Sequence, residues 1–253
     1  MFPEQRRREI LQLIEQAGSV SVAELSEQFD VSEVTIRADL QALAETGDVV
    51  RTHGGAILGD HGLSQLSLTK RLKQQVAEKK RIGVTAAERV SDGEAIILDS
   101  STTTLAIAHN LKAHRDLTII TNSLPIAQEM LDASGITIIM LGGRVRRDTA
   151  SIVEVDDLER IRGLNIQAGF FGAHGITVEE GLTDVSVDEA EVKRPLIKLC
   201  NQVVVVLDAT KWGRVGLASF ADLDQVDEVI TDVNAPEEQV EDVTKLNIPV
   251  TLV

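Results

Sequence analysis

The chain has almost no aromatic surface. Tyrosine is absent, tryptophan occurs once as Trp212, and aromatics make up 2% of the 253 residues. Recognition built on stacked bases, as in single-strand or RNA-binding sheets, therefore has little to stand on. Cys200 is the only cysteine. That excludes an intramolecular disulfide and a thiolate metal cluster, and it fits a reducing compartment. The apolar run Val203 to Leu207 is far below the ~20 residues that a membrane helix needs. Met1 to Arg8 lead directly into charge with no signal-peptide core. The expectation is a soluble cytoplasmic protein with no membrane partner. His53, His61, His109, His114 and His174 lack metal-ligand spacing with carboxylates. There is no nucleotide-binding Gly-Lys loop and no serine nucleophile elbow. Neither a metal nor a cofactor is expected.

Basic residues are also scarce, with 25 Lys plus Arg against 40 Asp plus Glu and a net charge of −15. On its face this argues against nucleic acid, whose binding rests largely on cations that neutralise phosphates. The charge is unevenly spread, however. Residues 1–57 hold 5 basic and 10 acidic groups, 58–81 hold 6 and 2, and 82–253 hold 14 and 28. Asp222 to Asp242 carry nine carboxylates and no base. Most of the acidity thus belongs to the last segment. DNA affinity would have to rest on Arg6, Arg7, Arg8, Arg37, Arg51 and the basic connector. Hydrophobic residues, at 43%, suffice for a sizeable core.

Residues 3–47 read as three short amphipathic helices. The first runs from about Pro3 to Ala17, with Ile10, Leu13, Ile14 and Ala17 on one stripe. Ser21 and Glu24 form a capping-box pair that opens a second helix to about Phe29. Ser32 caps a third, which runs to about Thr46 and stops at Gly47. Ile36, Leu40 and Leu43 mark its buried face. Val34, Arg37, Ala38 and Gln41 lie opposite, with Thr35 at the margin. Two helices across a short turn, the second with a mixed polar face, make a helix-turn-helix, whose second helix enters a major groove. Asp48 to Ile57 read as two short strands around a glycine turn, a wing that brings Arg51 and His53 to phosphates. A plain packing bundle remains open on this pattern alone.

The stretch Val31-Ser32-Glu33-Val34-Thr35-Ile36-Arg37-Ala38-Asp39-Leu40, followed by Arg51-Thr52-His53-Gly54-Gly55-Ala56, resembles the DeoR-type bacterial transcription regulators. By that resemblance Ser32, Val34, Thr35, Arg37, Gln41, Arg51 and His53 face double-stranded operator DNA. Ala38 departs from the family pattern, which has a second arginine there, so one groove-facing cation is missing.

From residue 82 onward, apolar strand-like runs alternate with helical patterns, as in a mostly parallel sheet covered on both faces. Polar residues follow the strands: Asp99 and Thr102, Asn122, Gly142, Gly172, and Asp208 with Lys211. In such sheets ligands bind beyond the carboxyl ends of the strands. Ser100 to Thr104, at a strand-to-helix turn, suit either a phosphate or ordinary helix capping. The helix there is expected from Leu105 to about Leu111. This segment resembles the sensor domain of the same family in Asp99 to Thr104, Thr121-Asn122-Ser123, Gly142-Gly143, Gly172 to Gly175, Glu189 to Lys193, Asp208 to Lys211 and Ile230 to Asp232. The resemblance implies a fold similar to ribose-5-phosphate isomerase and a phosphorylated sugar, or a related metabolite, as effector. It places Asp99, Ser100, Ser101, Thr102, Thr103, Thr104, Asn122, Ser123, Gly142, Gly143, Gly172, His174, Asp208 and Lys211 at the effector. Ser101 and Glu154 stand where that family commonly has glycine.

The expected fold is thus α+β multidomain. It comprises a winged helix-turn-helix over 1–57, a basic linker over 58–81 and a sugar-phosphate-sensing α/β domain over 82–253. The expected function is a repressor of carbohydrate catabolism genes that works as a homodimer or homotetramer. Two alternatives stay open. One is a sugar-phosphate isomerase using Asp99, Asp208 and Lys211, with the helices as a docking domain. The other is a protein-interaction module.

Overall fold

The computed structural model describes residues 3–17, 19–45, 49–52, 54–58, 68–156 and 158–253. The chain divides into two compact units, Met1–Arg71 and Leu72–Val253. The break falls inside the stretch expected as a connector.

The first unit runs α1 (Pro3–Ala17), β1 (Ser19–Ser21), α2 (Val22–Phe29), α3 (Glu33–Glu45), β2 (Val49–Arg51) and β3 (Gly55–Leu58). The capping box opens α2: Ser21 Oγ accepts from Glu24 N, and the Glu24 carboxylate accepts from Ser21 N. Asp30, left-handed at φ 51°, closes it. Ser32 Oγ then caps α3 by accepting from Thr35 N at 3.2 Å. Ile10 and Ile14 of α1, Val22 and Leu25 of α2, and Ile36, Leu40 and Leu43 of α3 form one core with Val49 and Ala56 of the wing. β2 and β3 pair antiparallel, as a wing requires. A third strand was not foreseen. β1 adds to the far edge of β3, in the order β1-β3-β2. Gly55 makes this possible, because a Cβ there would lie 1.9 Å from Val20 O.

α4 (Leu68–Lys73) crosses the unit boundary, and α5 (Val76–Ala87) opens the second unit. There follow β4 (Ala95–Leu98), α6 (Thr102–Ala108), β5 (Leu117–Thr121), α7 (Leu124–Glu129), β6 (Ile136–Met140), β7 (Arg144–Arg146), β8 (Ser151–Val153) and α8 (Glu159–Arg162). The remaining elements are β9 (Ile166–Phe171), β10 (Gly175–Thr177), β11 (Gly181–Asp184), α9 (Val187–Ile197), β12 (Cys200–Val206), β13 (Ala218–Ala221), β14 (Glu228–Thr231), α10 (Glu237–Lys245) and β15 (Val250–Leu252).

Seven strands form a fully parallel sheet in the order β15-β14-β12-β9-β4-β5-β6. Strand alternation explains the continuous apolar runs, because each central strand feeds two cores. Ile96 and Leu98, Ile119, Phe170, Val204 and Val206 pack on one face. Ile97, Ile120, Phe171, Val203 and Val205 pack on the other. α6 starts three residues earlier than expected and ends at Ala108, because Ser101 takes the cap position and draws Thr102 to Thr104 into the first turn. Among the described residues, no helix is long and apolar enough to cross a membrane.

Candidate functional site

On the first unit, α3 presents one continuous outer face. At ~100° per residue, Val34 lies opposite the buried Ile36, Leu40 and Leu43, with Ala38, Gln41 and Arg37 beside it. Val34 is 76% exposed, and Arg37, Ala38 and Gln41 are exposed as well. Ser32 and Thr35 sit at the helix start with their hydroxyls 2.9 Å apart. The Arg37 guanidinium pairs with Glu33 Oε2 at 2.8 Å. Arg51 on β2 donates to Gln41 Oε1 at 2.7 Å, which joins the wing to the outer face of α3. Gln41 Nε2 in turn donates to Glu45 at 3.1 Å. Six of the seven predicted residues thus share the α3–β2 surface. His53 lies outside the described residues.

Two expected DNA cations are not on this surface. Arg6 is 6% exposed, and its Nε reaches Asp39 Oδ2 at 2.6 Å. Arg7 Nε reaches Asp39 Oδ1 at 2.8 Å. Asp39, buried on the inner side of α3, therefore clamps α1 to α3 with both carboxylate oxygens. The sequence separation of 33 residues concealed this pairing.

On the second unit, five consecutive parallel strands, β12-β9-β4-β5-β6, end along one edge of the sheet. Asp208, Gly172, Asp99, Asn122 and Gly142 follow them, so these residues line one edge of the sheet in that order. Asp99 is fully buried. Its Oδ1 accepts from Ser101 N at 2.9 Å and Thr104 Oγ1 at 3.0 Å, and its Oδ2 accepts from Gly172 N at 2.9 Å. Asp99 thus fills the amides of Ser101 and Gly172, and Ser101 Oγ accepts from Thr104 N as the helix cap. A Cβ on Gly172 would fall 2.4 Å from Ser101 Cβ, so glycine is what lets the β9 and β4 loops touch.

Sequence reasoning matched the Glu189 to Lys193 run to the family but gave its residues no role. Lys193 on α9 is buried, and its Nζ meets Gly172 O at 2.8 Å, Asp184 Oδ2 at 2.9 Å and Asp99 Oδ2 at 3.0 Å. Burial works against its charge. The carboxylates of Asp184, Asp99 and Glu189 outweigh burial and lift its pKa above the ordinary lysine value. Glu189, 4% exposed, accepts from Ser100 Oγ at 2.9 Å and Ser151 Oγ at 2.6 Å. Thr149 Oγ1 lies 2.7 Å from Ser151 Oγ. One network therefore joins the β4 loop, the β7–β8 hairpin, β11 and α9. The available signal was the i, i+4 spacing of Glu189 and Lys193, which puts both on one helix face.

The hairpin is bound to α9 a second time. Arg146, paired with Asp148 at 2.9 Å, donates to the Ser186 hydroxyl that caps α9. Arg144 reaches Glu154 at 2.8 Å and Asp188 at 3.2 Å. Glu154 is left-handed at φ 53°, which explains why glycine suits that position. Its exposed carboxylate faces Arg144 rather than the strand ends.

Asn122 is 1% exposed. Its Nδ2 donates to Ile152 O at 3.0 Å, while Oδ1 is buried with no hydrogen-bond partner among the described residues. Ser123 lies beside it, bridged to Ser151 of β8. Gly142 and Gly143 form the exposed turn into β7. His174 follows β9 and donates its backbone N–H to Thr183 O. Asp208 is buried and caps the turn holding Lys211 through Thr210 N at 3.0 Å. The bridge between Ile176 and Trp212 lays this turn beside the loop containing His174. Among the described residues, no group of three or more His, Cys, Asp or Glu side chains could hold a metal ion.

Comparison with known proteins identifies both units. Residues 6–61 match the DeoR-like helix-turn-helix domain, and residues 74–233 match the DeoR C terminal sensor domain. The chain is 38% identical over 232 residues to the HTH-type transcriptional regulator GolR of Listeria innocua, covering 92% of this chain and 91% of that one. It is 34% identical to the glycerol-3-phosphate regulon repressor of Escherichia coli K12, covering 92% of each. It is 32% identical to the putative aga operon transcriptional repressor of E. coli O157:H7, covering 98% and 93%. A D-ribose-5-phosphate isomerase in complex with phospho-erythronic acid aligns with a TM-score of 0.41 at 15% identity, over 53% of this chain and 52% of that one. That score is too low to place any residue. With both domains matched and relatives similar along almost their whole length, the chain belongs to the DeoR family and is a DNA-binding transcriptional regulator, not an enzyme.

Proposed function

We propose that the protein is a repressor of carbohydrate catabolism genes whose operator binding responds to a phosphorylated sugar or a close metabolite. Residues 1–57 read the operator, and the second unit, Leu72–Val253, senses the effector in the cytoplasm. Ser32, Val34, Thr35, Arg37, Gln41, Arg51 and His53 face DNA. The effector lies over the strand ends, among Asp99 to Thr104, Asn122, Ser123, Gly142, Gly143, Gly172, His174, Asp208 and Lys211. The similarity to a repressor of a glycerol-3-phosphate regulon supports this effector class.

The observation that carries the effector reading is Asn122 Oδ1, a buried acceptor without a donor among the described residues. Leaving such an atom unsatisfied costs ~1–3 kcal/mol, and a ligand hydroxyl removes that cost. Charge orients the ligand. Asp99, Asp184 and Glu189 surround a single ammonium, so that side of the site repels a phosphate and welcomes hydroxyl donors. The phosphate then points toward Lys211.

Bound effector changes DNA affinity only by preferring one arrangement of the protein over another. Two or four copies supply the paired recognition helices that operator half-sites demand. The test is a mobility shift on the DNA upstream of the controlled genes, across salt concentrations, with a panel of sugar phosphates and their unphosphorylated parents. Sequence-specific retardation released by one phosphorylated compound is expected. Retardation that no compound alters refutes the effector reading, and no specific retardation refutes the operator reading. Sedimentation of the free and DNA-bound protein gives the copy number.

A further inference from the structure

We infer that Val34 and Ala38 read thymine, by packing against the C5-methyl groups of neighbouring base pairs in the major groove. The inference rests on the operator-binding reading above and adds what kind of base is read.

Val34 stands at the pole of α3 opposite the core and is 76% exposed. Ala38 is exposed one turn later on the same face. Residues four apart on a helix carry their Cβ atoms ~5–6 Å apart, and base pairs follow one another every ~3.4 Å. The pair therefore spans one to two base steps.

The polar side chains around this strip already have partners. Arg37 holds Glu33, the hydroxyls of Ser32 and Thr35 hold each other, and Gln41 is held between Arg51 and Glu45. Each must give up or share a bond to contact a base. The two alkyl side chains give up nothing, but they gain free energy only against another apolar surface. The edges of base pairs in the major groove offer one such surface, the thymine methyl. Guanine, cytosine and adenine present only donors and acceptors there, and a valine facing them leaves those groups desolvated without a partner.

The test uses the full-length protein and a duplex that it selects from a random-sequence pool. Within that duplex each thymine is replaced singly by deoxyuridine, which removes the methyl and keeps every hydrogen bond of the base pair. One or two adjacent positions per half-site should lose about fourfold in affinity per methyl, from ~0.8 kcal/mol per buried carbon. Val34→Ala should bind the thymine duplex about tenfold more weakly and no longer distinguish thymine from uracil at its position. Val34→Thr, which keeps the shape, should also weaken binding. Circular dichroism of both variants should match the parent, because the side chain is exposed. Sequence-specific binding that ignores every deoxyuridine substitution overturns the inference and leaves the operator reading intact. If no sequence is selected, both fall together.

Discussion

Lys193→Met removes the one cation from a buried cluster, and its consequence follows from the contacts. The Lys193 side chain is 5% exposed, and its three N–H groups reach Gly172 O, Asp184 and Asp99 within 3.0 Å. The ammonium also lies 4.8 Å from the centre of the Phe220 ring. Methionine fills most of the volume but takes the ammonium away from two carboxylates, 1% and 14% exposed. Breaking a buried pair from one side costs ~3–5 kcal/mol, a large part of the ~5–15 kcal/mol that holds a domain folded. Trp212 is the only tryptophan, lies in the second unit and is 6% exposed, so its fluorescence reports that unit alone. With a urea slope of ~2 kcal/mol per molar, the midpoint should fall by about 2 M. Lys193 has its pKa raised in the folded state, so its contribution is complete below the ordinary lysine value of 10.5 and is lost only as pH rises beyond it. The gap between parent and variant should therefore be constant from pH 7 to pH 10 and narrow above that. Adding Asp184→Asn should recover part of the loss. A midpoint shift below about 0.5 M, or a gap that closes already near neutral pH, would refute the reasoning.

Three further outcomes follow from single contacts. Asp39→Ala should destabilise the first unit by about 3 kcal/mol, the low end for a buried pair because Arg7 is 38% exposed; circular dichroism should show early loss of helix while the Trp212 transition stays in place. Glu154→Gly relieves a left-handed backbone and gives up only an exposed ion pair. It should raise the urea midpoint, by up to about 0.5 M, and a lowered midpoint would show that the Arg144 contact matters more than the backbone. Burial pushes the Cys200 thiol up to about 12. Alkylation at pH 8 should therefore run about a thousandfold slower in the native protein than in urea, and comparable rates would place the thiol at the surface.

Much of the architecture was legible because local and global signals agreed. Ser21 with Glu24, Ser32, and the spacing of Ile36, Leu40 and Leu43 each act within one turn of helix, so the chain announces them directly. The parallel sheet was legible for a similar reason: strands buried on both faces leave no polar alternation. Strands β1, β7, β8, β10, β11 and β13 were not anticipated. They are three or four residues long and owe their pairing to close backbone approach, which hydrophobic period does not encode. The candidate site divides the same way. Residues immediately after strands could be named one by one. The partners that make them a site, Lys193 with Asp99 and Glu189 with Ser100, are separated by 94 and 89 residues in the chain. Charge complementarity across such distances becomes visible only when the fold brings α9 under the strand ends. The same limit misassigned Arg6 and Arg7, whose partner Asp39 lies two helices away.

That misassignment bears on how so acidic a protein finds DNA. Of the five arginines in residues 1–57, Asp39 holds two, and Glu33 offsets a third. Residues 82–253 carry 28 acidic against 14 basic residues, a charge that disfavours a polyanion. Phosphate neutralisation supplies most of the affinity for arbitrary sequence, so that affinity should be low here and its salt dependence per copy shallow. A regulator with little attraction to bulk DNA loses few molecules to the millions of competing sites, which raises the ratio of specific to non-specific binding. The deficit must then be met at the operator by contacts that need no charge. Two are available: apolar contact between the outer face of α3 and base methyl groups, and a second copy that turns two weak half-sites into one strong one. The charge balance that first argues against DNA binding thus defines the kind of DNA binding that the fold can support.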